Sequence, residues 1–135
     1  MSELVRVRRN VLLDTHVLLW WVGAPEKITQ AASKVLRDPE VRVYVSAAVA
    51  WEMAIKVNLG KLAADEVVAG FPGIVQAKGF YRLAISTDHA LRAGLLPLHH
   101  TDPFDRMLIA QAQALNCPIV SADARLDHHV VRRIW

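Results

Sequence analysis

The sequence predicts an α/β domain built on a mostly parallel sheet with helices over both faces. Segments of strand and helix character alternate along the 135 residues, the pattern of consecutive βαβ units. The runs Val11-Leu12-Leu13 and Ile119-Val120 show no polar alternation, as expected of strands buried on both faces. Each run leads to an acid, Asp14 and Asp123, and ligands of such sheets bind beyond the carboxyl ends of the strands.

The elements follow in order. Val5 to Leu13 reads as a strand and His16 to Val22 as a short helix ended by Gly23-Ala24-Pro25. Thr29 to Arg37 reads as a second helix stopped by Asp38-Pro39, followed by a strand over Arg42 to Val45. Ser46 caps the next helix and Gly60 ends it in a left-handed conformation. Asp65 to Lys78 is helical in pattern, with a bend or break at Phe71-Pro72-Gly73. Tyr81 to Ile85 is expected as a strand, and Thr87 to Leu95 as a helix capped by Ser86 or Thr87. Pro103 to Asn116 carries the clearest helical pattern, and Val130 to Trp135 is the candidate last strand. No linker, repeat or low-complexity tract divides residues 1–135, so one domain is expected.

Composition narrows the classes. A hydrophobic share of 53% exceeds what a core of this size needs, which leaves apolar surface for an interface, and 21% charged residues exclude disorder. The net charge of +3 suits a polyanionic partner. Arg6, Arg8 and Arg9, and Arg132 and Arg133, serve either that partner or the protection of sheet edges. The single Cys117 allows no internal disulfide, which fits a reducing cytoplasm. Charge between Met1 and Arg9 stands where a signal peptide needs an apolar run, and no stretch reaches the roughly 18 apolar residues of a membrane span.

Asp14, Glu52, Asp105 and Asp123 form the candidate site. Asp14 either caps the helix after the first strand or, with Thr15 as cap, points over the sheet edge. Glu52 pairs with Lys56 at i, i+4 or lines a cleft, since its helix is otherwise apolar on nearly every side. Asp102-Pro103-Phe104-Asp105 is a helix start with Asp102 as cap. Asp105 then shares a face with Leu108, Ile109 and Ala112, while Arg106 and Gln113 are expected to face away. Ser121 can cap the turn after the last buried strand, so Asp123 is not required there. Carboxylates gathered at strand ends raise one another's pKa, and a hard dication that prefers oxygen ligands, Mg²⁺ or Mn²⁺, reverses this.

Other constellations carry less. His99-His100 and His128-His129 are adjacent pairs whose side chains diverge, which argues against zinc. Trp20 and Trp21 cannot both point the same way from one short helix, so one is expected at an interface if not in the core. A phospho-acceptor signalling domain needs a second acidic pair beside the first strand, which the stretch around Asp14 lacks. An inert binding module on the same fold has no need of all four acids.

Four segments resemble the PIN-domain ribonucleases that act as toxins of bacterial toxin–antitoxin pairs, the VapC type. They are Leu12 to His16; Ser46 through Trp51 to Lys56 with Leu59 to Leu62; His100 to Ala112; and Ser121 to Asp123. The resemblance spans the chain in order, and its third segment is the most specific. It implies a three-layer α/β/α sandwich, with acidic site positions at Asp14, Glu52, Asp105 and Asp123. It also implies Mg²⁺ or Mn²⁺, endonucleolytic RNA cleavage, a homodimer and a partner antitoxin. Ser121 stands where the family often has Thr or Ser that helps hold the site, and Asp102 adds a carboxylate near Asp105.

The expected chemistry is metal-assisted attack of water on a phosphodiester, leaving 5′-phosphate and 3′-hydroxyl ends. Asp14 and Asp105 are expected to bind the ion directly, and Glu52 and Asp123 through water or a second ion. Thr15 and Ser121 are expected to orient these ligands. Lys56 and Arg106 either touch phosphate or pair with neighbouring acids.

Overall fold

The computed structural model describes residues 9–97 and 102–135. Expectations placed on Val5 to Arg8, His99, His100 and Thr101 lie outside the described residues, Arg6 and Arg8 among them.

Five strands form one sheet in the order β3-β2-β1-β4-β5, every pair parallel. They are β1 (Arg9–Leu13), β2 (Val41–Ser46), β3 (Tyr81–Leu83), β4 (Ile119–Val120) and β5 (Arg133–Ile134). The connecting helices are α1 (Thr15–Gly23), α2 (Gln30–Arg37), α3 (Ala47–Asn58), α4 (Asp65–Ala69), α5 (Phe71–Ala77), α6 (Thr87–Leu95) and α7 (Pro103–Leu115). A sheet of parallel strands joined by helices is the α/β architecture that the alternation predicts.

The strand order determines where a site can form. From β1 the chain builds outward through β2 and β3, then returns to add β4 and β5 on the other side. The direction of winding reverses at β1 and β4, and that reversal opens a crevice at their carboxyl ends. Leu12, Leu13, Ile119 and Val120 are fully buried there, which explains the unbroken apolar runs. The Asp14 amide donates to the Val120 carbonyl at 3.2 Å, so the ladder carries on to the first acid.

Helix boundaries follow local chemistry. Gly60, at φ +72°, ends α3. Its amide donates to the Val57 carbonyl and the Lys61 amide to the Lys56 carbonyl, the paired bonds of a Schellman cap. Asn116, at φ 49°, does the same work after α7. Ser86 and His89 close a capping box on α6.

Several expected elements are shorter or divided. The 65–78 helix is two helices, α4 and α5, parted at Gly70 with Pro72 in the first turn of the second. β3 stops at Leu83 rather than Ile85, because Leu83 pairs with Ser46, where β2 itself gives way to α3. Only Arg133 and Ile134 of the expected last strand join the sheet. Trp20 and Trp21 both find ring partners within the chain, Trp135 at 5.7 Å and Phe80 at 6.5 Å between centroids. The exposed tryptophan is Trp51 on α3, which is 59% accessible, so α3 is open along one face.

Candidate functional site at the carboxyl ends of β1 and β4

Asp14 is held on two sides. It caps α1, with Oδ1 accepting from the Val17 amide at 2.9 Å. Its Oδ2 accepts a very short hydrogen bond from the Ser121 hydroxyl at the end of β4. The expectation that Thr15 caps the helix and frees Asp14 is therefore corrected. A carboxylate has lone pairs enough to cap a helix and still face the crevice. Burial pushes the Asp14 carboxyl above its ordinary pKa, against the lowering effect of the Ser121 and Val17 hydrogen bonds. The charge of Asp105 pushes it in the same upward direction, which sets that carboxylate in the same electrostatic neighbourhood.

Thr15 is buried, and its hydroxyl donates to Glu52 Oε1 at 2.5 Å. Glu52 is buried on α3 at 8% accessibility, with Oε2 accepting from Lys56 Nζ at 2.8 Å. Glu52 thus faces inward and pairs with Lys56. Consecutive residues, Asp14 and Thr15, tie β4 to one side and α3 to the other.

Ser121, fully buried, is the hinge of the second half. Its Oγ donates to Asp14 and accepts from the Asp123 amide at 3.0 Å. Asp123, not Ser121, is the cap of the one-turn 3-10 helix Ala124–His128, accepting from the Arg125 amide at 3.0 Å. The expected role of Ser121 is thus divided: its Oγ accepts from the Asp123 amide, while Asp123 caps the helix itself. The Asp123 carboxylate is gripped by the Arg125 guanidinium, the shortest contact being 2.7 Å.

Asp102 caps α7 as expected, with Oδ1 accepting from the Phe104 and Asp105 amides. Arg106 differs from expectation. It is buried, and its guanidinium donates to the carbonyls of Ala93, Gly94, Leu96 and Pro97 at the end of α6. A fork of five donors suits carbonyls that a helix end leaves unsatisfied. Arg106 thus holds α6 to α7 and is not aimed at phosphate. At the carboxyl-terminal edge, Arg133 pairs with Asp127 and Arg132 donates to the Asn116 carbonyl.

Two features escape a reading of sequence alone. Trp51 and Phe104 directly precede Glu52 and Asp105 and meet edge-on, with centroids 5.1 Å apart. They flank an apolar slot of about 190 Å³ that Ile85, Ala93 and Met107 help line. Trp51 had the signature of a core residue, an aromatic on an apolar helix. The other is Arg125, whose spacing two residues after Asp123 was the available signal. A hollow of about 870 Å³ beside β3 is lined by none of the four acids.

The donors at this crevice are carboxylate and hydroxyl oxygens, a set suited in chemistry to a hard dication. Asp14, raised by burial and by Asp105, is a group whose ionised form a cation would stabilise. Among the described residues, no three His, Cys, Asp or Glu side chains are close enough to hold a metal together. The side chains are instead engaged with protein partners: Glu52 with Thr15 and Lys56, and Asp123 with Arg125. The expected single acidic pocket is in this respect not formed.

Comparison with known proteins agrees with the fold. The chain is 29% identical over 126 residues to Ribonuclease VapC22 of Mycobacterium tuberculosis (strain ATCC 25618 / H37Rv), which covers 89% of this chain and 92% of that protein. Its structure is similar to that of VapBC2 from Rickettsia felis bound to a DNA fragment from their promoter, with a TM-score of 0.64 at 11% identity. The match covers 93% of this chain and 99% of that one. VapBC-1 from nontypeable Haemophilus influenzae matches with a TM-score of 0.61 at 16% identity, over 92% and 96% of the two chains. These structural likenesses carry the fold alone. The family model described as PIN domain matches residues 11–131, so the chain belongs to the PIN domain family.

Proposed function

We propose that the protein is a metal-dependent endoribonuclease, the toxin half of a toxin–antitoxin pair. Membership of the PIN family and the likeness to a protein named as a ribonuclease support the activity. The observation that carries the site is Asp14, a half-buried carboxylate at the switch point of the sheet held by Ser121, its pKa raised by desolvation and further by Asp105. Such a charge is poorly tolerated without a cation.

Asp14 and Asp105 would hold Mg²⁺ or Mn²⁺ directly, with Glu52 and Asp123 reaching it through water or a second ion. A dication bound there supplies Lewis acidity and a water of lowered pKa for in-line attack on a phosphodiester. The chain's own residues do the positioning. Ser121 fixes the Asp14 carboxylate, and Thr15 with Lys56 fixes that of Glu52. Because water is the nucleophile, the RNA 2′-hydroxyl takes no part.

The structures of similar fold are of VapBC complexes, which supports an antitoxin as partner. The exposed apolar face around Trp51 is consistent with a homodimer or with that partner. Among the described residues no helix is long and apolar enough to cross a membrane, and a cytoplasmic site of action suits the lone unpaired cysteine.

The test is to map the ends of RNA cleaved by the purified protein with and without Mg²⁺, beside Asp14→Asn. Metal-dependent 5′-phosphate and 3′-hydroxyl ends, lost in Asp14→Asn, are expected. Ends of 2′,3′-cyclic phosphate as the main product would refute the mechanism. Covalent labelling of Asp14 by acetyl phosphate would point to a phospho-acceptor domain instead.

A further inference from the structure

We infer that Arg125 is a built-in counter-ion of the acidic site. In the metal-free protein it neutralises Asp123, and once a dication takes that carboxylate it turns to a phosphate of the RNA. The inference rests on the metal-dependent nuclease reading above.

The geometry is that of a clamp. Arg125 Nε donates to Asp123 Oδ1 at 3.0 Å and to Oδ2 at 3.1 Å, and Nη2 donates to Oδ2 at 2.7 Å. Both oxygens that Asp123 would offer a metal are covered by one guanidinium. Asp105 and Asp102 also attract Arg125. Its charge therefore lies among the acids, where a metal's charge is required. A short relay links it to the centre: Arg125 to the Asp123 carboxylate, the Asp123 amide to Ser121, and the Ser121 hydroxyl to Asp14.

Among the described residues, the Arg125 guanidinium donates to Asp123 alone. Its side chain is 72% exposed, whereas Arg106 is buried against four carbonyls. Arg133 pairs with Asp127, and Lys56 with Glu52. Among the described residues, Arg125 is thus an arginine whose side-chain partner is itself a candidate metal ligand. A dication at Asp123 competes with the guanidinium for the oxygens it grips, since like charges at ligand distance repel. Released, the planar fork of Arg125 matches a phosphate in the same bidentate way that it matches a carboxylate.

The experiment compares wild type with Arg125→Ala and Arg125→Lys, all checked for unchanged folding by circular dichroism. First, Mg²⁺ alone is titrated calorimetrically into each protein. Arg125→Ala is expected to bind Mg²⁺ roughly two- to fivefold more tightly than wild type, the size of effect that an exposed ion pair allows. Arg125→Lys, which keeps the charge and loses the fork, should fall between. Second, binding of random-sequence single-stranded RNA is measured against salt concentration, metal-free and with Ca²⁺. With Ca²⁺, Arg125→Ala should lose about one unit of the salt slope, the signature of one phosphate contact. Without metal it should lose none. Equal Mg²⁺ affinity in wild type and Arg125→Ala, or an unchanged salt slope with Ca²⁺, overturns the role of Arg125 while leaving the nuclease reading intact. A wild type that takes up no Mg²⁺ sinks both.

Discussion

At the scale of single residues, the site is built from groups that do two things at once. Asp14 caps α1 and accepts from Ser121, and Ser121 serves both Asp14 and Asp123. Asp14→Asn and Asp105→Asn should lower RNA cleavage by about a hundredfold or more, the scale seen when one electrostatic element of a site is lost. Full metal-dependent activity in either variant would dismiss that residue from the site. Ser121→Ala should weaken metal affinity by about 10- to 100-fold, as loss of a ligand-orienting partner does, measurable by the same calorimetry. Asp14 also sets a pH dependence. Its folded pKa lies above its unfolded value of 3.8, so the folded state holds the proton more tightly. Stability from this group is therefore greatest in acid and falls as pH rises from about the unfolded pKa through the raised folded one. Metal-free Asp14→Asn should melt no lower than wild type at neutral pH and lose that advantage in acid. A melting point well below wild type at pH 7 would contradict the burial argument.

At the scale of elements, much was legible because the signals are local. The cap at Asp102, the end of α3 at Gly60 and the break before Pro72 depend on a few neighbouring residues, and each stands as read. The failures involve competition over distance. Thr15 and Ser121 are good caps in isolation, but their hydroxyls donate to Glu52 and Asp14, 37 and 107 residues away, while Asp14 and Asp123 cap the helices. Arg106 looked exposed from helical spacing, whereas α6 delivers four carbonyls onto it. Arg106→Ala should cost about 2–4 kcal/mol in denaturant unfolding, because buried carbonyls are left without donors. The salt slope of RNA binding should not change. A slope reduced by one would restore the phosphate contact, one of the two roles that the sequence left open for Arg106. Gly60→Ala should cost about 1 kcal/mol in the same assay, for a side chain forced into the left-handed region.

At the scale of the whole molecule, the fold class was legible, since alternating elements are a property of the string itself. The placement of Asp14 beside Ser121 was not, because it depends on strand order. β1 lies between β2 and β4, which no local pattern specifies. Cys117, buried where α7 hands over to β4, offers a probe at this scale. Burial pushes its thiol up to about 11, so little thiolate exists at neutral pH. A thiol reagent at pH 8 should leave the native protein almost untouched and label it fully in urea. Rapid labelling of the native state would mean that the joint between α7 and β4 opens locally.

The pairing of β1 with β4 also gives the protein a timetable. Asp14 leaves the ribosome well before its partner Ser121, which lies 107 residues further along the chain. Until the final strands slot in beside the first, the crevice has one wall missing, and non-local pairings of this kind are slow to form. A nascent chain therefore carries Asp14 without the hydroxyl that fixes it until β4 has paired with β1.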